Sequence, residues 1–190
     1  MIEGNGAPLV RLAARVQRAL ERLYHLDPLA DVRDFIAVAD EGEREKLLVR
    51  EAEAGIFEIE VRLPTIKESD SLDAMCQVIE GVSHFVYIAD RARIDRPSTQ
   101  LELEMQAEVD KWVVLAASMT GVERTKLRAR LFEHVSFLHE GEIGERYRLA
   151  NTTAHKFVRA IENRDIWSMR GALRRFFSAN QEEKLRLAQA

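Results

Sequence analysis

The stretch SLDAMCQVIEGVSHFVYIADRARIDRPSTQLELEMQAEVDKWVVLAAS, residues 71–118, decides the fold. Apolar residues recur in it every three or four positions, first at Met75, Ile79, Val82, Phe85, Val86 and Ala89. They recur again at Leu101, Met105, Val109, Trp112, Val113 and Ala116. That period marks a helix with one buried face. The pattern breaks once, at Ile94-Asp95-Arg96-Pro97, where proline cannot continue the preceding helix. Asp70 or Ser71 offers the first helix an N-cap, and Thr99 with Glu102 offers the second a capping box. Gly121 reads as the glycine that stops it. So short a connection predicts a central antiparallel helix hairpin around which the rest of the chain packs.

Working outward towards the N-terminus, Leu9, Leu12, Ala13, Val16, Ala19, Leu20 and Leu23 predict a helix over 8–24 with Pro8 in its first turn. Its other side carries Arg11, Arg15, Arg18 and Arg22 in one stripe. Between 33 and 63 the period changes to two. Phe57, Ile59, Val61 and Leu63 alternate with Glu58, Glu60 and Arg62, which predicts a strand. Lys46 to Ala52 reads as its partner across a Glu53-Ala54-Gly55 turn, and Phe35 to Ala39 as a third strand. The expectation is a three-stranded antiparallel meander, against a rival helix over 41–54 built from good helix formers.

Towards the C-terminus, Leu127, Leu131, Phe132, Val135 and Leu138 predict a helix from about Glu123 to His139, ended by the Gly141–Gly144 loop. Ala150, Ala154, Phe157, Val158 and Ile161 predict one from about Glu145 to Asn163. Asp165 can cap a further helix that turns Trp167, Leu173, Phe176 and Phe177 inward, and Asn180 with Glu183 a short last one. The fold class is therefore α+β and mostly α: six or seven helices around the hairpin, with one small sheet, in a single domain over 1–190.

Composition narrows the function classes. The chain has 190 residues, 46% hydrophobic and 32% charged, which suits a globular protein rather than a disordered one. No apolar run is long enough for a membrane span, and residues 1–8 lack a secretory pattern, so a cytoplasmic location is expected. Cys76 is the single cysteine, which excludes a disulfide within the chain and suits a buried structural thiol. Residues 27–121 hold 21 acidic and 10 basic side chains, and residues 122–190 hold 9 acidic and 14 basic. An acidic middle thus faces a basic C-terminal third, which suits attraction within one fold, across a dimer, or to a charged partner.

Three readings of function follow. The leading one is a non-catalytic cytoplasmic interaction or regulatory module that binds a protein partner or itself, without a cofactor, since no phosphate loop or nucleophile motif is present. The second is nucleic-acid or polyanion binding through arginine faces, with Arg124, Arg128, Arg170 and Arg174 as the candidate basic patch. The third is a metal-dependent or acid–base enzyme. Glu80, His84 and Tyr87 share one helix face, and Tyr147, Asn151 and His155 form a similar row on the helix over 145–163. If those helices are neighbours, the rows line a polar pocket in which Glu80 and His84 meet His155. The Glu–His spacing of four is not repeated elsewhere, so no metal site follows from it. His134 and His139 are about 140° apart on a helix and read as ordinary. Glu102, Glu104, Glu108, Asp110 and Lys111 read as a mostly solvated acidic side, with Gln106 and Asp110 nearer the packing face.

Overall fold

The periodic stretch from 71 to 118 forms two long helices, α2 (Leu72–Arg93) and α3 (Gln100–Ala116). The computed structural model describes residues 7–53, 56–64, 72–137 and 139–189, with the side chains of 51–53, 56 and 57 left aside. The expected N-cap at Asp70 or Ser71, the turn at Ala54-Gly55 and Leu138 lie outside those residues. Contacts between α2 and α3 run in opposite chain directions, from Glu80 with Lys111 to Ser83 with Asp110 and Tyr87 with Glu102. Thr99 caps α3 by accepting the Glu102 N–H at 3.1 Å. The Glu102 carboxylate does not return to Thr99. It accepts the Gln181 N–H at 2.7 Å and the Tyr87 hydroxyl at 3.2 Å, tying the last helix to the pair.

The remaining helices among the described residues are α1 (Ala7–Tyr24), α4 (Gly121–Arg128), α5 (Gly141–Ile161), α6 (Ile166–Ser178) and α7 (Gln181–Leu187). The mostly helical α+β class expected from the sequence is the one observed. The apolar stripe of α1 packs on α2, and α5 packs on α3. Gly121 opens α4 instead of closing α3, because Thr120 and Glu123 form a capping box there. The helix expected to reach His139 passes at Ala129 into a π-helical turn, Ala129–Glu133, and stops. Gly141 begins α5, which therefore starts before the expected Glu145. Asp165 caps α6 and Asn180 caps α7, as their spacing implies. Trp167 is an exception to its helix's inward face, being 76% exposed.

The sheet comprises β1 (Ile36–Val38), β2 (Lys46–Glu53) and β3 (Ile56–Leu63), in the order β1-β3-β2. β2 pairs antiparallel to β3, with Leu47 opposite Val61 and Val49 opposite Ile59, so residues 46–53 are strand and not helix. β1 pairs parallel to β3, with Ile36 opposite Val61 and Val38 opposite Leu63. The sheet is thus mixed, and the expected all-antiparallel meander is overturned. The physical reason lies in β3, whose Val61 and Leu63 are fully buried and which takes the centre. Placing β1 on its far edge seats Phe35 against Phe85 of α2, with ring centroids 5.0 Å apart. A meander would place β1 beside β2 instead of β3. Gly81 of α2 permits the close approach of the sheet: a Cβ there would stand 2.6 Å from Leu63 Cδ2 and 3.4 Å from Glu45 Oε2.

The acidic side expected of α3 is not solvated. Glu102, Glu104, Asp110 and Lys111 are buried, and Glu108 is half-buried. Asp110 accepts from Tyr24, Gln106 and Ser83, as its place near the packing face suggests. Lys184 of α7 is fully buried and donates to Gln106 Oε1 and Phe176 O, each at 2.7 Å. Such satisfied networks fix helix register, because every member left without a partner is costly.

Candidate metal centre

Helical spacing brings the other half of the polar seam together. Glu80 and His84 stand one turn apart on α2, and Glu104 and Glu108 one turn apart on the facing side of α3. Glu80, His84 and Glu104 each offer one ligand atom, all lying within 4.8 Å of one another, and all three residues sit in protein rather than solvent. His84 Nε2 is 3.8 Å from Glu104 Oε2. On the other side of the ring, Nδ1 is 4.0 Å from Oε2 of Glu45, which precedes β2. Lys111 completes the set by donating to Glu80 at 3.1 Å and Glu108 at 2.8 Å.

Two atoms in this seam are buried without a hydrogen-bond partner among the described residues: His84 Nε2 and Glu45 Oε2. A native interior rarely leaves such groups unpaired, and each is placed to take an ordered water or an ion. His84 is only 7% exposed, so bulk water does not satisfy it.

Charge points the same way. Burial, then Glu80, pushes the Glu104 carboxyl up to about 8. Burial, with Glu80 and Glu104, raises Glu45 well above the ordinary carboxylate range. Burial lowers His84, leaving a neutral ring with a free lone pair. Burial is the largest influence on the Glu80 carboxylate and raises it, but Lys111, His84 and Arg44 together outweigh it and lower that group. Burial thus favours the protonated form of Glu45, Glu104 and Glu108, and a dication among Glu80, His84 and Glu104 would displace a proton on binding. Two carboxylates and an imidazole are a donor set of mixed hardness, suited to Mn²⁺, Fe²⁺ or Zn²⁺ more than to Ca²⁺ or Mg²⁺.

The seam opens into a cavity of about 600 Å³, lined among others by Glu80, Lys111, Tyr147, His134, His139 and Phe137. Tyr147 of α5 stacks on His139, with ring centroids 5.5 Å apart, and burial raises its hydroxyl beyond the ordinary range. Gly144, a turn earlier, lies so close to the His139 backbone that a Cβ would stand 2.1 Å from its carbonyl oxygen. This packing holds the 139–147 segment at the cavity wall.

The six residues of the expected pocket divide. Glu80 and Tyr147 line one cavity, and His84 lies behind Glu80 in the seam. Tyr87 belongs to a different cluster, accepting from Arg91 at 2.7 Å. Asn151 is buried and donates to Leu131 O at 3.2 Å. His155 stacks on Phe132 and lies 3.3 Å from Glu133 and 2.8 Å from Arg128, among residues other than Glu80 and His84. The candidate basic residues lie in two pairs, Arg124 with Arg128 on α4 and Arg170 with Arg174 on α6. Arg128 is paired with Glu133 and Glu162, Arg174 donates to Leu23 O, and Arg170 lies over the Trp167 ring. Arg124, also half-buried, is on α4. Glu45, Glu104 and Lys111 escaped sequence reading, although one signal was present. The stripe 104, 108 and 111 faces the stripe 80 and 84 once the two helices are set antiparallel. No family model matches the chain, and neither a curated protein nor a solved structure is detectably similar to it.

Proposed function

We propose that this chain binds one divalent transition-metal ion through Glu80, His84 and Glu104 and acts with it on a small molecule held in the adjoining cavity. The observation that carries this reading is the bare His84 Nε2, buried 3.8 Å from Glu104 Oε2 and grouped with Glu80, which itself lines the cavity. A bound ion would supply Lewis acidity and a more acidic water. The chain's own residues bound the space in which a substrate would sit. Lys111 and Tyr147 contribute polar lining, and Leu131 and Phe137 apolar lining. The test is elemental analysis of protein purified without chelator or affinity tag. About one equivalent of Mn, Fe or Zn in the wild type, lost in the His84→Gln variant, supports the reading; equal trace metal in both rejects it.

Self-association is a second reading, favoured by one observation. Trp167 is 76% exposed and Ile166 48% exposed, side by side at the start of α6. A large aromatic side chain in that position suits the centre of a protein contact. Light scattering decides it: a dimer that dissociates in the Trp167→Ala variant supports the contact, and a monomeric wild type rejects it. No helix among the described residues is long and apolar enough to cross a membrane.

A further inference from the structure

Glu45 is the one member of the seam that comes from neither α2 nor α3. Its backbone N–H donates to Gln77 Oε1 at 3.1 Å, and the Gln77 amide donates in turn to Asp73 at 2.8 Å. Its neighbour Arg44 pairs with the same Asp73 at 3.0 Å. The segment leading into β2 is thereby fastened along the first turns of α2. Gly81 leaves room for the Glu45 carboxylate to lie against the helix, since Oε2 would contact a Cβ there at 3.4 Å. The result is a carboxylate facing His84 Nδ1 at 4.0 Å while Glu104 faces Nε2 at 3.8 Å. The two acids flank opposite ring nitrogens. The 3.8 Å approach of Glu104 marks Nε2 as the nitrogen a shared metal ion would take, which leaves Nδ1 to carry the proton. Glu45 Oε2, buried without a hydrogen bond among the described residues, is 4.0 Å from that nitrogen, and a small closing of this gap would let it accept the proton.

We propose that Glu45 is the positioning residue of this centre: it accepts the Nδ1–H of His84, fixes the ring's tautomer and orientation, and so directs the Nε2 lone pair at Glu80 and Glu104. The proposal rests on the metal reading above. Carboxylates in this place behind a ligating imidazole orient the ligand and raise its basicity, and their loss costs roughly 10- to 100-fold in metal affinity. Glu45 is held by its backbone, so the device is mounted on the sheet and delivered to the helices. The tightness of the centre then depends on how the sheet is docked.

The experiment uses the full chain loaded with Zn²⁺. Calorimetric titration gives Zn²⁺ affinity for the wild type, Glu45→Ala and Gln77→Ala. Ring ¹⁵N spectra of the loaded proteins, with His84 assigned by its absence in His84→Gln, identify the metallated nitrogen and the proton on the other. The expected result is Nε2 metallated and a protected Nδ1–H in the wild type. In Glu45→Ala that proton exchanges freely and affinity falls roughly 10- to 100-fold. Gln77→Ala, which only loosens the Glu45 backbone, is expected to weaken binding less and keeps the test informative should Glu45→Ala fail to fold. A wild type that binds no Zn²⁺ rejects the metal reading itself. A wild type that binds it through Nδ1, or variants with unchanged affinity and an unchanged Nδ1–H, overturn the role of Glu45 alone.

Discussion

His84 Nε2 and Glu104 Oε2 face each other at 3.8 Å across the seam between α2 and α3, and the ring nitrogen is buried without a hydrogen bond among the described residues. An ion that fills this contact binds the native state alone, because the unfolded chain does not hold the three donors together. Ligand at about 100 times its dissociation constant then stabilises the fold by about 2.7 kcal/mol. For a chain of this size that raises the melting temperature by roughly 5–10 °C. Thermal melts with Mn²⁺ or Zn²⁺ against chelator are expected to show the shift in the wild type and to lose it in His84→Gln. An equal shift in both proteins places the ion elsewhere.

Gly81 sets how closely the sheet approaches the site. In Gly81→Ala the new Cβ meets Leu63 Cδ2 at 2.6 Å, and Leu63 is fully buried with little room to turn aside. Overpacking of this kind outweighs the better helix propensity of alanine, for a net loss of about 1–2 kcal/mol. Urea unfolding checks the value. A more stable variant would mean that the sheet and α2 are less tightly docked than described.

The pH dependence of stability has a definite sign at Asp110. Burial pushes its carboxyl up to about 6, although hydrogen bonds from Ser83, Tyr24 and Gln106 pull the other way. Between the ordinary value near 3.8 and about 6, the native state therefore holds a proton that the unfolded state has released. The contribution is fully present below the lower value and is lost as pH rises through the upper one. Asp110→Asn removes this term, so the fall in its stability over that window should be shallower by at most about 1.4 kcal/mol per pH unit. Unfolding curves at three pH values across the window test this, and parallel wild-type and variant profiles would contradict it.

Asp165 accepts the N–H groups of Trp167 and Ser168, at 3.0 and 3.1 Å. Asp165→Ala should cost about 1 kcal/mol, the usual worth of an N-cap, without changing metal affinity. Denaturant unfolding and a metal titration on the same variant separate the two effects. Weakened metal binding would show that α6 is coupled to the centre.

The parts of this molecule legible in its sequence are those governed by local period and local chemistry. The stripes Met75–Ala89 and Leu101–Ala116 specify their helices, and Thr99, Asp165 and Asn180 mark helix starts. Strand order was not legible, because Ile36–Val38 can pair on either side and the contacts made at the far edge of β3, such as Phe35 on Phe85, are long-range. The centre was half legible. Glu80 and His84 stand out on an apolar face, whereas Glu104 and Lys111 look like ordinary surface charge until the helices are paired. Glu45 carries no sequence signal at all, since its place depends on how the sheet docks. His155 shares the spacing of the row but is held by Phe132, Glu133 and Arg128.

Calorimetric titration of the metal-free chain with Zn²⁺ and Mn²⁺, alongside His84→Gln and Glu104→Gln, decides whether α2 and α3 hold an ion between them. One saturable site per wild-type chain is expected, with affinity falling roughly 100-fold or more in each variant, since each removes a direct ligand and not merely its support. No saturable binding by a folded wild type, or binding that both variants retain, would contradict a metal centre between α2 and α3.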